Sequence, residues 1–568
     1  MKRALIAAAA LLVPGPAMAD TLIDNINGLS VDRQGTITRF AAMVIDDQGR
    51  VAQLLKSGER PPERTDYRED GRGRTVIPGF VDAHAHVLGL GFAQMTLDLS
   101  GARTLAEAQQ AIAAYAAANP ERPWIVGRGW NQETWALGRF PTATELDAVV
   151  ADRPVWLERA DGHAGWANTA ALKAAGVTER TADPAAGRIE RVAATRKPAG
   201  VLVDGAMPLV AGKVPPPRPQ DRDAALLAAQ EVLITHGITA VADMGTPIED
   251  WMTFRRAGDT GRLRVRIMAY ADSIPTMLLV GGTGPTPWLY DDRLRLNGIK
   301  LYLDGALGSR GAWLKAPYAD NPRNTGLPQL NGTQLRNLMS RAAMDNFQVA
   351  VHAIGDAANA EVLSAIEELS ADYHGDRRWR IEHAQVVDPA DIARFGRNGI
   401  VASMQPVHQP SDRVMAEARL GPARLAGAYA WRSIHGAGAP LAFGSDAPVE
   451  MADGLAALAA AVTRQDAQGQ PPQGWQPQEA LPFSQALAAQ TAGAAWAGFG
   501  EGRFGRLTVG ERADFVVLES DPSAQDGASL RRNRVLETWI GGQRVYRLAQ
   551  NDAPPIPVRT PSDPTTGR

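Results

Sequence analysis

The sequence predicts an α/β fold: a (β/α)8 barrel of the TIM type with a large insertion after strand 1, plus a small β-sandwich domain formed by both chain ends. Three observations carry this. Eight apolar segments of strand length recur through the middle of the 568-residue chain, with helical segments between several of them, which is the alternation of a parallel sheet. Each segment ends in polar residues, where such barrels keep their active sites. The two ends of the chain have a different texture, short strands separated by turns.

The elements follow in order. Lys2-Arg3, the apolar run Ala4 to Val13 and the small-residue site Ala17-Met18-Ala19 read as a Sec-type signal peptide over 1–19, cleaved after Ala19. Its removal moves the formal charge from −3 to −5 and implies a periplasmic or secreted protein. Residues 20–75 supply strands such as Gly35–Phe40 and Ala42–Asp46. Together with 505–550 they are expected to form one composite β domain; Ala513–Leu518 and Val535–Ile540 are strands there, and Gly541-Gly542 is a turn. The barrel is expected over 76–504, beginning with VIPGFVDAHAH (Val76–His86). The other strands are Gly237–Gly245, Arg264–Asp272, Asn297–Gly305, Gln348–Asp356, Arg380–Val387, Gly399–Gln409 and Ala439–Pro448. Helices are expected at Ala224–His236, Ala357–Leu369 and Asp388–Arg397. The gap between strands 1 and 2 is too long for one crossover, so about 97–220 is read as an insertion capping the active-site face. Its folded parts are expected at Leu105–Ala118 and Pro154–Ala175, and Pro215–Pro219 is a hinge. Residues 551–568, rich in Pro, Asp and Thr, read as a loose tail.

Composition excludes several functions. The near-neutral charge, with no basic run, argues against nucleic acid as a partner. No apolar run after the signal approaches the ~20 residues that span a bilayer. The chain has no cysteine, so disulfides, thiolate zinc sites, iron–sulfur clusters and a Cys nucleophile are out. What remains is a small-molecule substrate, and nothing excludes a homo-oligomer.

The chain holds nine histidines, and two of them, His84 and His86, end strand 1. At i and i+2 a strand points both to one side. Lys300 lies in strand 4, His352 ends strand 5, His383 lies in strand 6 and Asp446 ends strand 8. Histidine and carboxylate suit zinc or a similar divalent ion. Each of His352, His383 and Asp446 alone has an ordinary structural reading; a barrel would bring them together.

With these residues in place, the sequence resembles the amidohydrolase superfamily, family 3, in words running from VIPGFVDAHAH to FGSDAP. DGHAGWANTAAL (Asp161–Leu172), IKLYLDGALGSRGAWL, VAVHAIGDAAN and RIEHAQ are similar to the branch containing YtcJ-like proteins and N-substituted formamide deformylases. The resemblance implies that His84, His86 and Asp446 hold a buried divalent metal, zinc by expectation. It also implies that His352 and His383 hold a second, with Lys300 bridging as an N-carboxylated side chain. If Lys300 instead pairs with Asp304 or another carboxylate, one tightly bound ion is expected. Asp446 is then the proton shuttle while metal-activated hydroxide attacks a carbonyl.

The implied reaction is hydrolysis of an amide C–N bond in a small molecule, such as an N-substituted formamide or N-acyl amine. Alternatives are a cyclic amide, a dipeptide or N-acyl amino acid, or an ester; an exported metal-binding protein without activity is the alternative of another class. His163 either reaches the substrate carbonyl or serves the Asp161-Gly162-His163 turn. Trp130, Gln132 and Trp135 either line the substrate pocket or pack the insertion. Asp304, Arg310 and Asp356 are candidates to orient the ligands, and His408 lies near the mouth. His236, His374 and His435 carry structural readings. GALGSRG lacks the Gly-Lys-Ser/Thr ending of a phosphate loop and reads as a close-approach loop. No Gly-x-Ser-x-Gly elbow is present.

Overall fold

Phe80–Ala85 opens an eight-stranded parallel sheet that continues through Ile238–Thr246, Arg266–Ala271, Leu294–Tyr302, Gln348–Ala353, Arg380–His383, Val401–Met404 and Leu441–Phe443. These are strands 1 to 8 below, and spatial order follows chain order. The computed structural model describes residues 20–549 apart from Arg64 and Gln525, so the signal reading at 1–19 and the tail reading at 551–568 lie outside the described residues.

Strands 8 and 1 share no ladder. The sheet closes through three contacts at their ends: Asp446 N–H to His84 C=O (2.6 Å), His86 N–H to Ala447 C=O (2.7 Å) and the Ala85–Ala447 bridge. Closure therefore falls on expected metal ligands. The barrel floor is filled by small and flexible residues, Val81, Ala83, Ala240, Ala242, Met268 and Ala350 among them. Above the floor, strand 1 advances three residues, Asp82 to Ala85, while strand 2 advances two, Val241 to Asp243. Such a bulge re-aims side chains beside active sites. Here Ala83 packs in the floor and His84 still reaches the mouth.

Helices cover the outer face. Pro219–Thr235 packs Leu226, Leu233 and Ile234 onto it, and Asp356–Leu369 packs Val362, Leu363 and Ile366. The helix expected over Asp388–Arg397 begins only at Ile392, because Asp388 and Pro389 are used in a turn: Asp391 N–H bonds Asp388 C=O and Ala390 N–H its carboxylate.

The insertion forms a six-stranded mixed sheet, ordered Gly187–Arg191, Pro198–Asp204, Ala164–Ala167, Val155–Arg159, Ile125–Trp130, Leu97–Asp98. The helix Leu105–Ala118 stands as expected, with Thr104 accepting Glu107 N–H as its cap. Most of these strands were not legible in advance. The run Pro154–Ala175 resolves into a hairpin followed by the helix Thr169–Ala175.

Both ends of the chain build two further sheets. Thr21–Asp24, Ala42–Ile45, Val51–Leu55 and Tyr67–Asp70 form one. The other joins Asn27–Val31, Ile37–Phe40 and Thr75–Pro78 to Phe515–Leu518, Val535–Ile540 and Gln543–Arg547. They enclose a shared core of Ile23, Met43, Ile45, Phe515 and Trp539.

Candidate metal centre

At the C-terminal mouth of the barrel, His84, His383 and Asp446 each offer a ligand atom within 4.8 Å of the others, and all three are buried. His86 Nε2 lies 3.2 Å and His84 Nε2 3.5 Å from Asp446 Oδ1. The His352 ring centre is 4.6 Å from that of His383. Lys300 Nζ stands 3.2 Å from His84 Nε2, and no bond to Asp304 is formed. Asp304 accepts the N–H groups of Ile354, Gly355 and Trp313 instead, so Asp304 is not the partner of Lys300. The six residues expected as ligands thus converge from strands 1, 4, 5, 6 and 8.

Two of them sit on unusual backbone. His383 (φ +74°) and Asp446 (φ +59°) are left-handed, a conformation uncommon outside glycine that concentrates at functional sites. The turn at His383 also explains its neighbour. In a regular strand Glu382 and His383 would face opposite ways, yet Glu382 Oε2 lies 2.6 Å from His84 Nδ1 while His383 Nδ1 meets Gln405 Oε1 at 2.9 Å. With Nδ1 so engaged, Nε2 of each ring is left for a metal.

The electrostatics agree with a cation here. Burial, with Lys300 next, pushes His84 down to about 4. Burial likewise takes His352 and His383 well below the usual histidine range, so all three are neutral and able to ligate. Burial lowers Lys300 to about 8. Burial alone would raise Asp446, but His84, His408 and His86 hold it well below the carboxylate range. Its buried Oδ1 has no hydrogen-bond donor, an orphan that a metal would satisfy. The donor set is therefore fit for a divalent ion.

Supporting residues frame the ligands. Asp82, pushed up to about 6 by burial, accepts from the Ser445 hydroxyl (2.5 Å) and from the N–H of His84 and Ser445, fixing strand 1 against strand 8. Arg380 holds Glu382 at 2.8 Å, and the carboxyl stays well below its usual range although burial opposes its charge. His408, at the start of the helix after strand 7, lies 3.3 Å from Asp446 and 3.5 Å from Glu450. Against burial, those two carboxylates raise it to about 10.

Two cavities meet at the ligands. One of about 1240 Å³ runs from His86, Lys300 and Tyr302 to an apolar wall of Phe92, Met95, Met207 and Pro215–Pro217. The other, about 410 Å³, is charged, with Arg159, His408, Asp412 and Glu450. Asp161, His163, His352, His383, Asp446 and Val449 border both. His163 keeps the expected turn, its N–H on Asp161 Oδ1, and its ring also sits 5.1 Å from that of His352.

Several pocket expectations need correction. Trp130, Gln132 and Trp135 line neither cavity. Trp130 and Trp135 are core of the insertion, their indole N–H groups donating to Leu157 and Ala102 carbonyls. Gln132 is buried and accepts from Arg159 Nε at 2.8 Å. Arg310 pairs with Asp320 away from the ligands, and Asp356 accepts Lys315 N–H rather than orienting a ligand. The close-approach reading of GALGSRG has a concrete cause: a Cβ on Gly308 would stand 2.7 Å from Arg159 Nη1. Glu382, Gln405, Asp82, Arg159 and Asp204 went unseen because each matters through a partner remote in the chain. Among the described residues, no helix is long and apolar enough to cross a membrane.

A model described as "Amidohydrolase family" matches residues 69–546. Among similar proteins is LONG AFTER FAR-RED 3 of Arabidopsis thaliana, 35% identical over 84% of this chain and 82% of that protein. YtcJ of Bacillus subtilis, whose name places it with the amidohydrolases, is 35% identical over 84% of this chain and 89% of its own. An N-substituted formamide deformylase of Arthrobacter pascens is 27% identical over 93% and 98%. An uncharacterised metal-dependent hydrolase of Pyrococcus horikoshii superposes with a TM-score of 0.70 at 25% identity, covering 89% of this chain and 99% of that one.

Proposed function

This chain belongs to the amidohydrolase family and is a metal-dependent hydrolase, and we propose that it cleaves an amide C–N bond in a small molecule. The observation that carries the reading is Asp446, a buried carboxylate with an unpartnered oxygen beside His84 and His383 at a junction of two cavities. A bound divalent ion supplies Lewis acidity toward a carbonyl oxygen and makes water a nucleophile near neutral pH. We assign zinc to that role; His84, His86 and Asp446 would hold one ion, and His352 and His383 would hold a second. Lys300, buried and with an amine that loses its proton readily, is the candidate for N-carboxylation and would then add a further oxygen ligand. Asp446 takes the proton from the attacking water and delivers it to the departing nitrogen.

The cavities favour one substrate shape. A formamide has only hydrogen on its acyl side and would leave one cavity empty. An N-acyl amine with a substantial group on each side of the bond fills both, its apolar part toward Phe92 and Met207. The leading segment 1–19 makes export to the periplasm or beyond part of the proposal. The test is a panel of N-formyl amines, N-acyl amines, dipeptides and esters against the zinc-loaded mature protein. N-acyl amines are expected to give the highest kcat/KM, chelation to abolish turnover and zinc to restore it. Asp446→Asn should lose at least about 100-fold in kcat, the usual scale of general acid–base catalysis; undiminished turnover would reject the role.

A further inference from the structure

Asp204 ends the last strand of the insertion, and its side chain is fully buried. Its backbone is left-handed at φ +47°, a strained state for a residue with a side chain, which the surrounding structure must hold in place. Oδ1 accepts from His163 Nδ1 at 2.7 Å. Oδ2 has no hydrogen-bond donor and lies in a notch of the loop after strand 4. A Cβ on Gly305 would stand 2.5 Å from Oδ2, and one on Gly311 2.3 Å. Neither glycine is in the left-handed region, so it is the space taken by this carboxylate, not backbone conformation, that excludes a side chain there. The loop is shaped around Asp204.

A neutral imidazole whose Nδ1–H donates to a carboxylate presents the Nε2 lone pair, an acceptor, on its other edge in a fixed orientation. His163 lines both cavities where they meet, beside His352. We infer that Asp204, seated in the notch left by Gly305 and Gly311, is a positioning residue that aims the His163 Nε2 lone pair at the amide N–H of the bound substrate. The insertion, not the barrel, then supplies the side-chain acceptor that holds the amide nitrogen, the atom that leaves, in place as water attacks. This rests on the amide-hydrolase reading above. It assigns to the insertion a part in the chemistry as well as in substrate choice.

The alternative is a pair that only stabilises the insertion, and the experiment separates the two. His163→Gln, Asp204→Ala, Asp204→Asn, Gly311→Ala and the double variant Asp204→Ala/His163→Gln are compared at equal zinc content, with urea midpoints recorded. Asp204→Ala should lose about 10- to 100-fold, the scale for partners that orient site residues, in kcat with little change in KM. Asp204→Asn keeps an acceptor for the Nδ1 proton, so it should retain most of the rate; it also covers the case in which the alanine variant fails to fold. Gly311→Ala puts a methyl group against Oδ2 and should reproduce the kcat loss without touching His163. The double variant should be no slower than the worse single one.

Wild-type kcat in Asp204→Ala at full zinc occupancy, or losses that multiply in the double variant, would overturn the inference and leave the hydrolase reading standing. Undiminished turnover in Asp446→Asn would overturn that reading and the inference with it.

Discussion

Glu382 shows what a single residue contributes around the ligands. One oxygen holds His84 Nδ1 at 2.6 Å and the other holds Arg380 Nε at 2.8 Å, all three side chains being fully buried. Glu382→Gln keeps the shape and removes the charge. Metal affinity should fall by about 10- to 100-fold, as when other partners of ligating histidines are lost, measured by competition with a chromophoric chelator. Stability should also fall by roughly 3 kcal/mol because Arg380 keeps a buried charge with no counter-ion. At this scale the residues that meet at the mouth were legible, because His-x-His and the strand-end His and Asp follow the rhythm of the barrel. Glu382 was not. Strand periodicity turns it away from His383, and only the left-handed backbone at His383 brings both to the same mouth.

The insertion is where local reading fell short at the scale of elements. Its helix Leu105–Ala118 was visible from an alanine-rich run, but its sheet is held by partners far apart in sequence. Parallel pairs such as Ile125 with Val155 leave no short-range mark. For the tryptophans both readings, pocket wall or core of the insertion, stay open in the sequence because an exposed aromatic and a core aromatic look alike there. Asn168 organises this unit: Oδ1 accepts from Val155 and Ala171 N–H, and Nδ2 donates to Val150 and Arg153 C=O. Asn168→Ala should therefore cost about 2–4 kcal/mol, several buried polar groups being left unpaired at once. Limited proteolysis and urea titration would register it. Cleavage within the insertion at a rate unchanged from wild type would show that the cap is dispensable.

At the scale of the whole molecule the barrel joins the terminal sheets at the end of the strands opposite the metal centre, the face that serves stability rather than chemistry. Arg266, first residue of strand 3, donates from Nε to Asp514 Oδ2 at 2.6 Å and from Nη2 to Oδ1 at 2.8 Å. Its Nη1 reaches the carbonyls of Asp291 and Asp292, and Gly541 N–H completes Asp514 at 2.7 Å. The two side chains are 1% and 2% exposed, so solvent does little to screen them. The expected composite of the two chain ends could be read from their strand-and-turn texture, but this contact could not, since 248 residues separate the partners. Removing one charge strands the other: Asp514→Ala should cost about 3–5 kcal/mol, read as a lowered urea midpoint. Replacing both, as Arg266→Met with Asp514→Leu, removes the stranded charge and should recover most of that loss. In both variants kcat/KM of the folded fraction should match wild type, because the pair lies at the far end of the barrel from His84 and Asp446. A fall in kcat/KM at unchanged metal content would mean that the terminal sheets set the geometry of the mouth as well as the stability of the fold.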